Sequence, residues 1–176
     1  QQRTALKFTP AIAPTKCAVL PLSGNKSFRP IVATLGQALT KLGIENKIDE
    51  SSTAIGRRYA RMDEVGVPFA LTVDFNTVGY EGYDKDGCVT LRERDSQKQL
   101  SLSMLSAPAV VNGLVRGHFT FESLLTKYPV VSGGGNEVKK AKLYGGTNIQ
   151  TLENVIVESS NPDGRRLLFS RPVIKK

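Results

Sequence analysis

Residues 49–75 read DESSTAIGRRYARMDEVGVPFALTVDF, and this stretch decides the fold that the sequence predicts. Ser51 and Ser52 are suitable N-cap residues, because a serine hydroxyl accepts a hydrogen bond from the free amides of a helix's first turn. The helix that follows should end at Gly66, since glycine readily adopts the left-handed conformation found after many helices. Residues 69–75 are rich in strand-forming side chains and long enough for a buried strand. The stretch therefore predicts a helix followed directly by a strand.

The predicted helix has an apolar face and a basic face. The apolar positions recur at helical spacing: Ile55, Tyr59 and Met62. Arg57, Arg61 and Glu64 lie opposite them, and Arg58 lies at the flank. Arginine suits phosphate because its planar guanidinium donates to two oxygens at once. Two interpretations stay open at this point: an anion-binding surface, or a solvated face with an Arg57–Glu64 contact.

Strands and helices alternate through the first part of the chain. Residues 16–22 predict a strand, residues 27–42 follow a helical period, and residues 44–49 predict a short second strand. With the helix and strand of residues 49–75, the order is β-α-β-α-β within about 60 residues. Such alternation indicates an α/β fold with a largely parallel sheet and helices on its faces.

The elements that follow have weaker patterns. Residues 76–87 predict a loop rich in glycine, aspartate and tyrosine. Residues 88–93 and 97–104 alternate apolar and polar positions like half-buried strands, and the three residues between them predict a tight hairpin turn. Residues 108–116 and 119–128 predict two further helices.

The chain divides into two predicted parts. Residues 1–128 form the α/β domain, in which residues 1–15 are an extended lead-in interrupted by prolines. Residues 129–176 form a Gly-rich, basic linker and a hairpin appendage. The hairpin would span residues 148–174, with the turn residues Asn-Pro-Asp-Gly at 161–164.

Composition limits the class of protein. The 176-residue chain has a net charge of +8, which favours acidic partners, nucleic acid above all, without specifying one. No apolar run is long enough for a transmembrane helix, and the first residues have no signal-peptide pattern. The first residue is not Met, which suggests a piece of a longer protein. Cys17 and Cys88 are the only cysteines, and they favour a reducing, intracellular location.

A second charged cluster surrounds the predicted hairpin turn. It consists of Arg92, Glu93, Arg94 and Asp95. Carboxylates accept from the amino group of cytosine, and arginine donates to phosphate or base oxygens, so the cluster fits base recognition. Internal salt bridges, each worth about 0–1 kcal/mol on a surface, are the alternative. Phe75 and Tyr80 offer stacking faces for unpaired bases, or else they pack in the core and its loops.

The sequence contains no recognisable reaction centre. His118 is the only histidine, and no arrangement of Ser, Cys or Asp marks it as a base, so we expect it on the surface. The glycine run at residues 133–135 lacks the Lys-Ser/Thr of a phosphate-binding loop. No spacing typical of metal ligands occurs. We therefore expect a binding protein with no catalytic residue, no metal and no cofactor in this chain.

Three runs of the sequence carry a family resemblance: RTALKFTPAIAPTKCAVLPLS, KIDESSTAIGRRYARMDEVGVPFALTVDF and VTLRERDSQKQ. They resemble the C-terminal anticodon-binding domain of glycyl-tRNA synthetase of the archaeal and eukaryotic type. Class II synthetases for histidine, proline and threonine share this domain. The wider pattern is a basic helix, then Asp-Glu-x-Gly-x-Pro and a buried strand. The matching residues are Gly56, Arg57, Arg58, Asp63, Glu64, Gly66 and Pro68.

The resemblance covers residues 3–128 and implies a three-layer α/β fold with a mixed five-stranded sheet flanked by helices. It implies that the chain holds the anticodon arm of glycine tRNA, while a catalytic domain outside this chain uses ATP and Mg²⁺ to aminoacylate that tRNA. The chain itself would then bind RNA without catalysing a reaction. The parent family is typically a homodimer through its catalytic domain and cytoplasmic, with a mitochondrial form as an alternative. Residues 129–176 match no part of this family pattern.

The resemblance also suggests roles for the two charged clusters. Arg57, Arg58 and Arg61 would hold phosphates. Glycine anticodons share two cytosines, and the predicted acceptors for their amino groups lie beside Arg92 and Arg94: Asp74, Glu93 and Asp95. The alternative function is a protein-interaction or regulatory module, because the accessory subunit of mitochondrial DNA polymerase has the same fold. A small α/β enzyme is disfavoured by the lack of catalytic groups.

Overall fold

A computed structural model describes residues 5–79, 82 and 85–131 of the chain. In that part the strands are β1 (Cys17–Pro21), β2 (Asn46–Ile48), β3 (Phe69–Val73), β4 (Cys88–Glu93), β5 (Gln99–Ser103) and β6 (Val130–Val131). The helices are α1 (Arg29–Lys41), preceded by the 3-10 turn Lys26–Phe28, then α2 (Ile55–Glu64), α3 (Phe75–Val78), α4 (Ala107–Val115) and α5 (Phe121–Leu124). None of these helices is long and apolar enough to cross a membrane.

The strands form one mixed sheet in the order β2-β1-β3-β4-β5-β6. The first three strands along the chain are parallel, with Val19 of β1 opposite Ile48 of β2 and Leu71 of β3. The remaining pairs are antiparallel, so that Leu91 lies opposite Leu71 and Leu100. Parallel neighbours need a crossover connection, and α1 and α2 provide the two crossovers that the alternating pattern predicted.

Side chains of β1 alternate between two packed layers. Cys17 and Val19 join the larger core with α1 and α4, whereas Ala18 and Leu20 face α2 and pack with Met62. This period of two is that of a strand buried on both faces. The predicted three-layer α/β fold is therefore confirmed. The sheet has a sixth strand that the sequence did not predict, because the two residues of β6 are too few for an alternating pattern.

Helix α2 begins later than the sequence predicted. Its N-cap is Ala54, and no side chain caps it, so the assignment of Ser51 and Ser52 as N-caps is wrong. Asp49 explains the difference, since its Oδ1 atom accepts a hydrogen bond from the Ser51 amide at 3.0 Å and holds this segment in a turn. The predicted end is confirmed, because Gly66 has a φ of +81°.

Two other boundaries also differ from the prediction. The segment predicted as a loop after β3 begins with the short helix α3, which Asp74 caps through hydrogen bonds to the amides of Asn76 and Thr77. The helix predicted at residues 119–128 contracts to α5, whose Thr120 cap the pattern did not reveal. A single turn has too few residues for a helical period to appear.

Several predictions fall on residues outside the described ranges. They are the first four residues of the lead-in, Tyr80 as a stacking face, and residues 132–176 of the linker and hairpin assigned to residues 129–176. Residues 130 and 131 of that assigned linker belong to the sheet as β6, so the predicted boundary at residue 128 is too early. The extended lead-in is described from residue 5 onward. It runs along the C-terminal end of α2, where the Leu6 amide donates to the Asp63 carbonyl at 3.2 Å.

Candidate nucleic-acid interface

The carboxyl ends of β1, β2 and β3 lie along the same side of the sheet because these strands are parallel. The connections that leave them begin at Leu22, Asp49 and Asp74. Helix α2 returns the chain from the end of β2 to the start of β3, so its N-terminus lies at these same strand ends. Ligands of open α/β sheets bind outside this edge, where connections leave to opposite faces.

Arg57 lies on the first turn of α2 and is exposed. Its guanidinium makes no hydrogen bond or ion pair with any other residue that the structure describes. Gly56 beside it is also exposed, with no atom within 4 Å of an added Cβ. The N-terminus of α2 has no side-chain cap, so its first amides point the positive end of the helix dipole at an open surface. The combination suits an anionic oxygen.

Arg61 is half exposed and lies one turn further along α2. It donates to Asp49 Oδ2 at 3.1 Å and to Ser51 Oγ at 3.0 Å. Burial opposes ionisation of Asp49, but the Ser51 hydrogen bonds and the charges of Arg61 and Arg58 outweigh it and lower the pKa of Asp49. Arg61 thus has a carboxylate partner, which the sequence analysis did not foresee, and part of its charge is already compensated.

Arg58 is buried, with 2% of its surface exposed, and the prediction that it lies at the flank of a solvent-facing cluster is wrong. Its guanidinium donates to the Asp49 carbonyl at 3.1 Å and to the Leu22 carbonyl at 3.4 Å. Burial lowers the pKa of Arg58, and Asp49 partly offsets that effect. Arg58 therefore ties together the segments that follow β1 and β2, and a phosphate outside the protein does not reach it in this conformation.

Arg92 is also buried and belongs to a polar cluster beneath α2. It makes a bidentate pair with Asp63, with N–O distances of 3.0 and 3.1 Å, and both side chains are buried. Its guanidinium lies 4.6 Å from the centre of the Tyr59 ring, and the Tyr59 hydroxyl hydrogen-bonds Thr72 at 2.6 Å. The assignment of Arg92 to an exposed recognition cluster is therefore wrong.

The other residues of the second cluster stabilise the turn after β4. Arg94 is buried and donates to the carbonyls of Gly66 and Phe8, each at 3.0 Å, as well as to Asp95. The Glu93 carboxylate accepts from the amides of Asp95 and Ser96. These groups are engaged within the protein, so the alternative of internal salt bridges describes them better than base recognition does.

The two predicted clusters lie at opposite ends of the sheet. Glu93 is paired with Phe69 at the start of β3, whereas Asp74 follows the end of β3. Five residues of strand separate these ends by about 16 Å, at roughly 3.3 Å per residue. Asp74 therefore lies at the same end of the sheet as the N-terminus of α2, whereas Glu93 and Asp95 lie at the other end.

Asp74 and Phe75 lie at the carboxyl end of β3. Burial of Asp74, assisted by the nearby Asp86, raises the pKa of its carboxyl group despite the hydrogen bonds from Thr77 and Asn76. Its Oδ2 atom accepts no hydrogen bond from the residues that the structure describes. Phe75 packs edge-to-face on Phe28, with ring centres 5.4 Å apart, and is partly buried against the larger core. Packing is the observed role of Phe75, although its ring is not wholly enclosed.

Lys26 was missed by the sequence analysis. It is exposed in the 3-10 turn that follows β1, a turn capped by Asn25 through the Ser27 amide at 2.9 Å. The signal was its position directly after the predicted first strand, because residues at the carboxyl ends of parallel strands converge. Lys26, Arg57 and Arg61 all belong to segments that meet at this edge of the sheet.

The Asp74 carboxyl group provides a pH-dependent test. Because its pKa is raised above the ordinary 3.8, its contribution to stability is present below that value and is lost as pH rises through the raised pKa. We expect Asp74→Asn, which keeps the capping oxygen, to become more stable relative to the wild type as pH rises from 4 to 7. Urea unfolding at several pH values measures this difference. A wild type that gains stability relative to the variant over that range would contradict the burial of Asp74.

Comparison with known families identifies a match across the sheet. The family described as "Anticodon binding domain" matches residues 16–114. Glycine–tRNA ligases of Bombyx mori and Drosophila melanogaster are 47% and 41% identical over 129 and 130 residues, which cover 73% and 74% of this chain. Glycine–tRNA ligase of Streptomyces coelicolor is 44% identical over 104 residues, 59% of this chain. The chain spans only 16–21% of the length of these relatives.

A solved structure has the same fold. Prolyl-tRNA synthetase from Cryptosporidium parvum, complexed with L-proline and AMP, superposes with a TM-score of 0.57 at 20% sequence identity. The match covers 69% of this chain and 24% of the synthetase. The shared feature is the arrangement of strands and helices.

Proposed function

This chain belongs to the anticodon binding domain family, and from that premise we propose that it binds the anticodon arm of glycine tRNA. The catalytic domain of the parent glycine–tRNA ligase would lie outside this chain and would use ATP and Mg²⁺. This chain would then contribute RNA binding and no catalytic residue. The glycine–tRNA ligases of Bombyx mori and Drosophila melanogaster are 47% and 41% identical to this chain, which favours glycine tRNA over other tRNAs.

One observation carries the proposal: the exposed, uncompensated guanidinium of Arg57 on the uncapped first turn of α2. At such a site the guanidinium of the arginine and the free backbone amides of the helix's first turn can both donate hydrogen bonds to phosphate oxygens. Arg61 and Lys26 extend the basic surface along the same sheet edge. Phosphate contacts position RNA on a protein but do not read its sequence. These three residues would therefore orient the anticodon arm.

Base recognition would fall to Asp74 in this arrangement. A carboxylate oxygen accepts a hydrogen bond from the cytosine amino group, and Oδ1 of Asp74 already caps α3 while Oδ2 faces no donor among the described residues. Glu93 and Asp95 were predicted for the same role, but their carboxylates hold the hairpin turn and Arg94. Of the three predicted acceptors, Asp74 at the end of β3 is therefore the proposed specificity residue.

Arg57→Gln provides the direct test of this surface. Removing one phosphate contact should weaken binding of a glycine anticodon stem-loop by about 5- to 10-fold near 0.1 M salt. The slope of log affinity against log salt should fall by about 0.7 to 0.9. Fluorescence anisotropy at four salt concentrations measures both quantities. Stem-loops with other anticodons should lose the same factor, because the contact is to backbone.

Lys127→Gln is the matched control for this experiment. It removes one exposed positive charge from the segment after α5, outside the proposed interface. We expect it to leave the salt slope within error of the wild type. Equal slopes for Arg57→Gln and the wild type would contradict the proposed phosphate contact, whatever the absolute affinity.

The cellular setting follows from the parent family. We propose a cytoplasmic parent enzyme that dimerises through its catalytic domain. A mitochondrial form is the alternative, since glycine–tRNA ligase 1, mitochondrial, of Saccharomyces cerevisiae is 47% identical over 98 residues. The protein-interaction module considered above is less well supported, because Arg57 is retained and exposed where loss of basic residues was expected for such a module.

A further inference from the structure

A cavity of about 500 Å³ lies at the amino ends of the parallel strands, away from the proposed RNA surface. Lys16 directly precedes β1, and Ile44 precedes β2 by two residues. Arg116 and His118 reach the cavity from the segment after α4. Ala11, Gly43, Arg116 and His118 are exposed, so the cavity is an open depression on the surface. This cavity is therefore a second candidate site, built from different elements.

The ionisable side chains that line the cavity carry nitrogen groups that can donate hydrogen bonds. They are Lys16, Arg116 and His118, and no carboxylate is among the lining residues. The rest of the lining is mostly apolar: the exposed Ala11, and Ile44 and Val115, which are only 2% and 7% exposed. A site with convergent N–H donors and an apolar wall fits an anion that carries an apolar or aromatic group.

The donors keep free hydrogen-bonding capacity. Lys16 Nζ donates to the Ala13 carbonyl at 3.1 Å and pairs with the exposed Glu45 at 2.8 Å, which leaves one N–H. Arg116 donates through Nε to Asn112 Oδ1 at 2.8 Å and through one terminal nitrogen to the Leu42 carbonyl at 3.5 Å. Its second terminal nitrogen has no partner among the described residues.

The C-terminal carbonyls of α1 and α4 disfavour binding of an anion nearby. Arg116 reduces this electrostatic repulsion. The negative end of a helix dipole is carried by the last free carbonyls, and a cation placed there compensates it. Arg116 donates to the Leu42 carbonyl at the end of α1 and packs on the last turn of α4 through Asn112. The guanidinium thus covers the two helix ends, and one of its terminal nitrogens remains without a partner among the described residues.

We propose that this cavity binds a phosphate group attached to a nucleoside. The phosphate oxygens accept hydrogen bonds from Lys16, Arg116 and His118. The attached group lies beside the exposed Ala11 at the rim of the depression. The phosphate belongs either to a free nucleotide or to the RNA backbone, and the two sources share this chemistry. The inference does not depend on anticodon binding, because Arg57 and the N-terminus of α2 lie at the other end of the sheet.

The single histidine makes the test direct. Because His118 is the only histidine in the chain, its imidazole proton resonances need no assignment. We expect inorganic phosphate to shift these resonances saturably in the full 176-residue chain, at constant pH and ionic strength with chloride as the replaced anion. AMP should saturate at a lower concentration than phosphate, because the attached nucleoside adds contact at the rim of the depression. A shift that stays linear, or that chloride reproduces, would overturn the proposal.

Variants separate the site from general charge effects. Arg116→Gln should weaken binding of AMP by at least about 10-fold, which is the loss expected for a hydrogen bond to a charged group. Lys16→Gln should also weaken it, and circular dichroism of both variants checks that they fold. Lys127→Gln should bind AMP like the wild type. Unchanged AMP affinity in both folded variants would overturn the assignment.

The two phosphate sources are distinguished with RNA. A stem-loop RNA that displaces AMP from the His118 site, in the wild type and in Arg57→Gln alike, would identify RNA backbone as the ligand. AMP binding that persists with saturating stem-loop would identify a free nucleotide. Weaker stem-loop binding by Arg57→Gln with an unchanged AMP response at His118 would show that the two sites are independent, so the failure of one proposal leaves the other testable.

Discussion

Replacing Asp63 with alanine is expected to lower the free energy of unfolding by about 3–5 kcal/mol, because it leaves Arg92 buried without its carboxylate. The bidentate pair has N–O distances of 3.0 and 3.1 Å. Its partner Arg92 also stacks on Tyr59, so its guanidinium cannot turn to solvent without disturbing the cluster under α2. Urea unfolding followed by circular dichroism measures the change.

An exposed ion pair serves as the control for Asp63→Ala. Lys98 and Glu122 are 3.1 Å apart and both largely exposed, so Glu122→Ala should cost less than about 1 kcal/mol. The double variant Asp63→Ala/Arg92→Ala should lose less than the sum of the two single variants, since no unpaired charge remains buried. A cost for Asp63→Ala as small as that of Glu122→Ala would contradict the buried pair.

Arg58→Ala is expected to lower the free energy of unfolding by about 2–4 kcal/mol, because the carbonyls of Leu22 and Asp49 lose charged donors. Arg58→Met should cost about half as much, since methionine retains much of the buried aliphatic volume and removes a guanidinium whose Nε has no partner among the described residues. Urea unfolding of both variants measures these losses.

RNA binding by the folded Arg58→Met variant discriminates between the two roles proposed for this residue. A buried guanidinium neutralises no phosphate, so the salt slope should equal that of the wild type while absolute affinity for the stem-loop falls with any movement of the loops. Arg57→Gln, one residue away, should show the reduced slope. A reduced slope in Arg58→Met would show that Arg58 reaches the RNA.

The alternation of strands and helices was predictable because it follows from burial. β1 and β3 each bury both faces, and their runs of apolar residues are long enough to be recognised. α1 presents apolar residues at helical spacing to one side of the sheet. Gly66 marked the end of α2 through its backbone conformation, which few other residues adopt. These signals are local, so the sequence alone contained them.

The position of Arg58 was also present in the pattern but was obscured by its charge. It lies three residues after Ile55 and four before Met62, which places it on the face that α2 buries. Because arginine is usually exposed, its charge predicted a surface position, although the helical spacing indicated a buried one. What the sequence could not supply was the pair of backbone carbonyls that makes burial of this charge tolerable.

The division of the two charged clusters was not predictable for a different reason. Asp74 follows the end of β3 and Glu93 ends β4, and the antiparallel return of β4 carries Glu93 to the opposite end of β3. Similarly, Arg92 and Asp63 are 29 residues apart and pair only because α2 lies over β4. Charged side chains carry no periodic signal about their partners, so these contacts depend on tertiary structure.

The hydrogen bond from Arg94 to the Phe8 carbonyl joins residues 86 positions apart. This contact links the start of the domain to the β4–β5 turn. The aromatic ring of Phe8 occupies the space that a side chain at position 66 would need. A pulling force on the N-terminal side of Phe8 would therefore act first on the C-terminal end of α2 and on the β4–β5 turn. Strand β1 would feel the force only after those contacts. The lead-in thus bears mechanical load, and the β4–β5 turn, for which the sequence suggested base recognition, anchors it through Arg94.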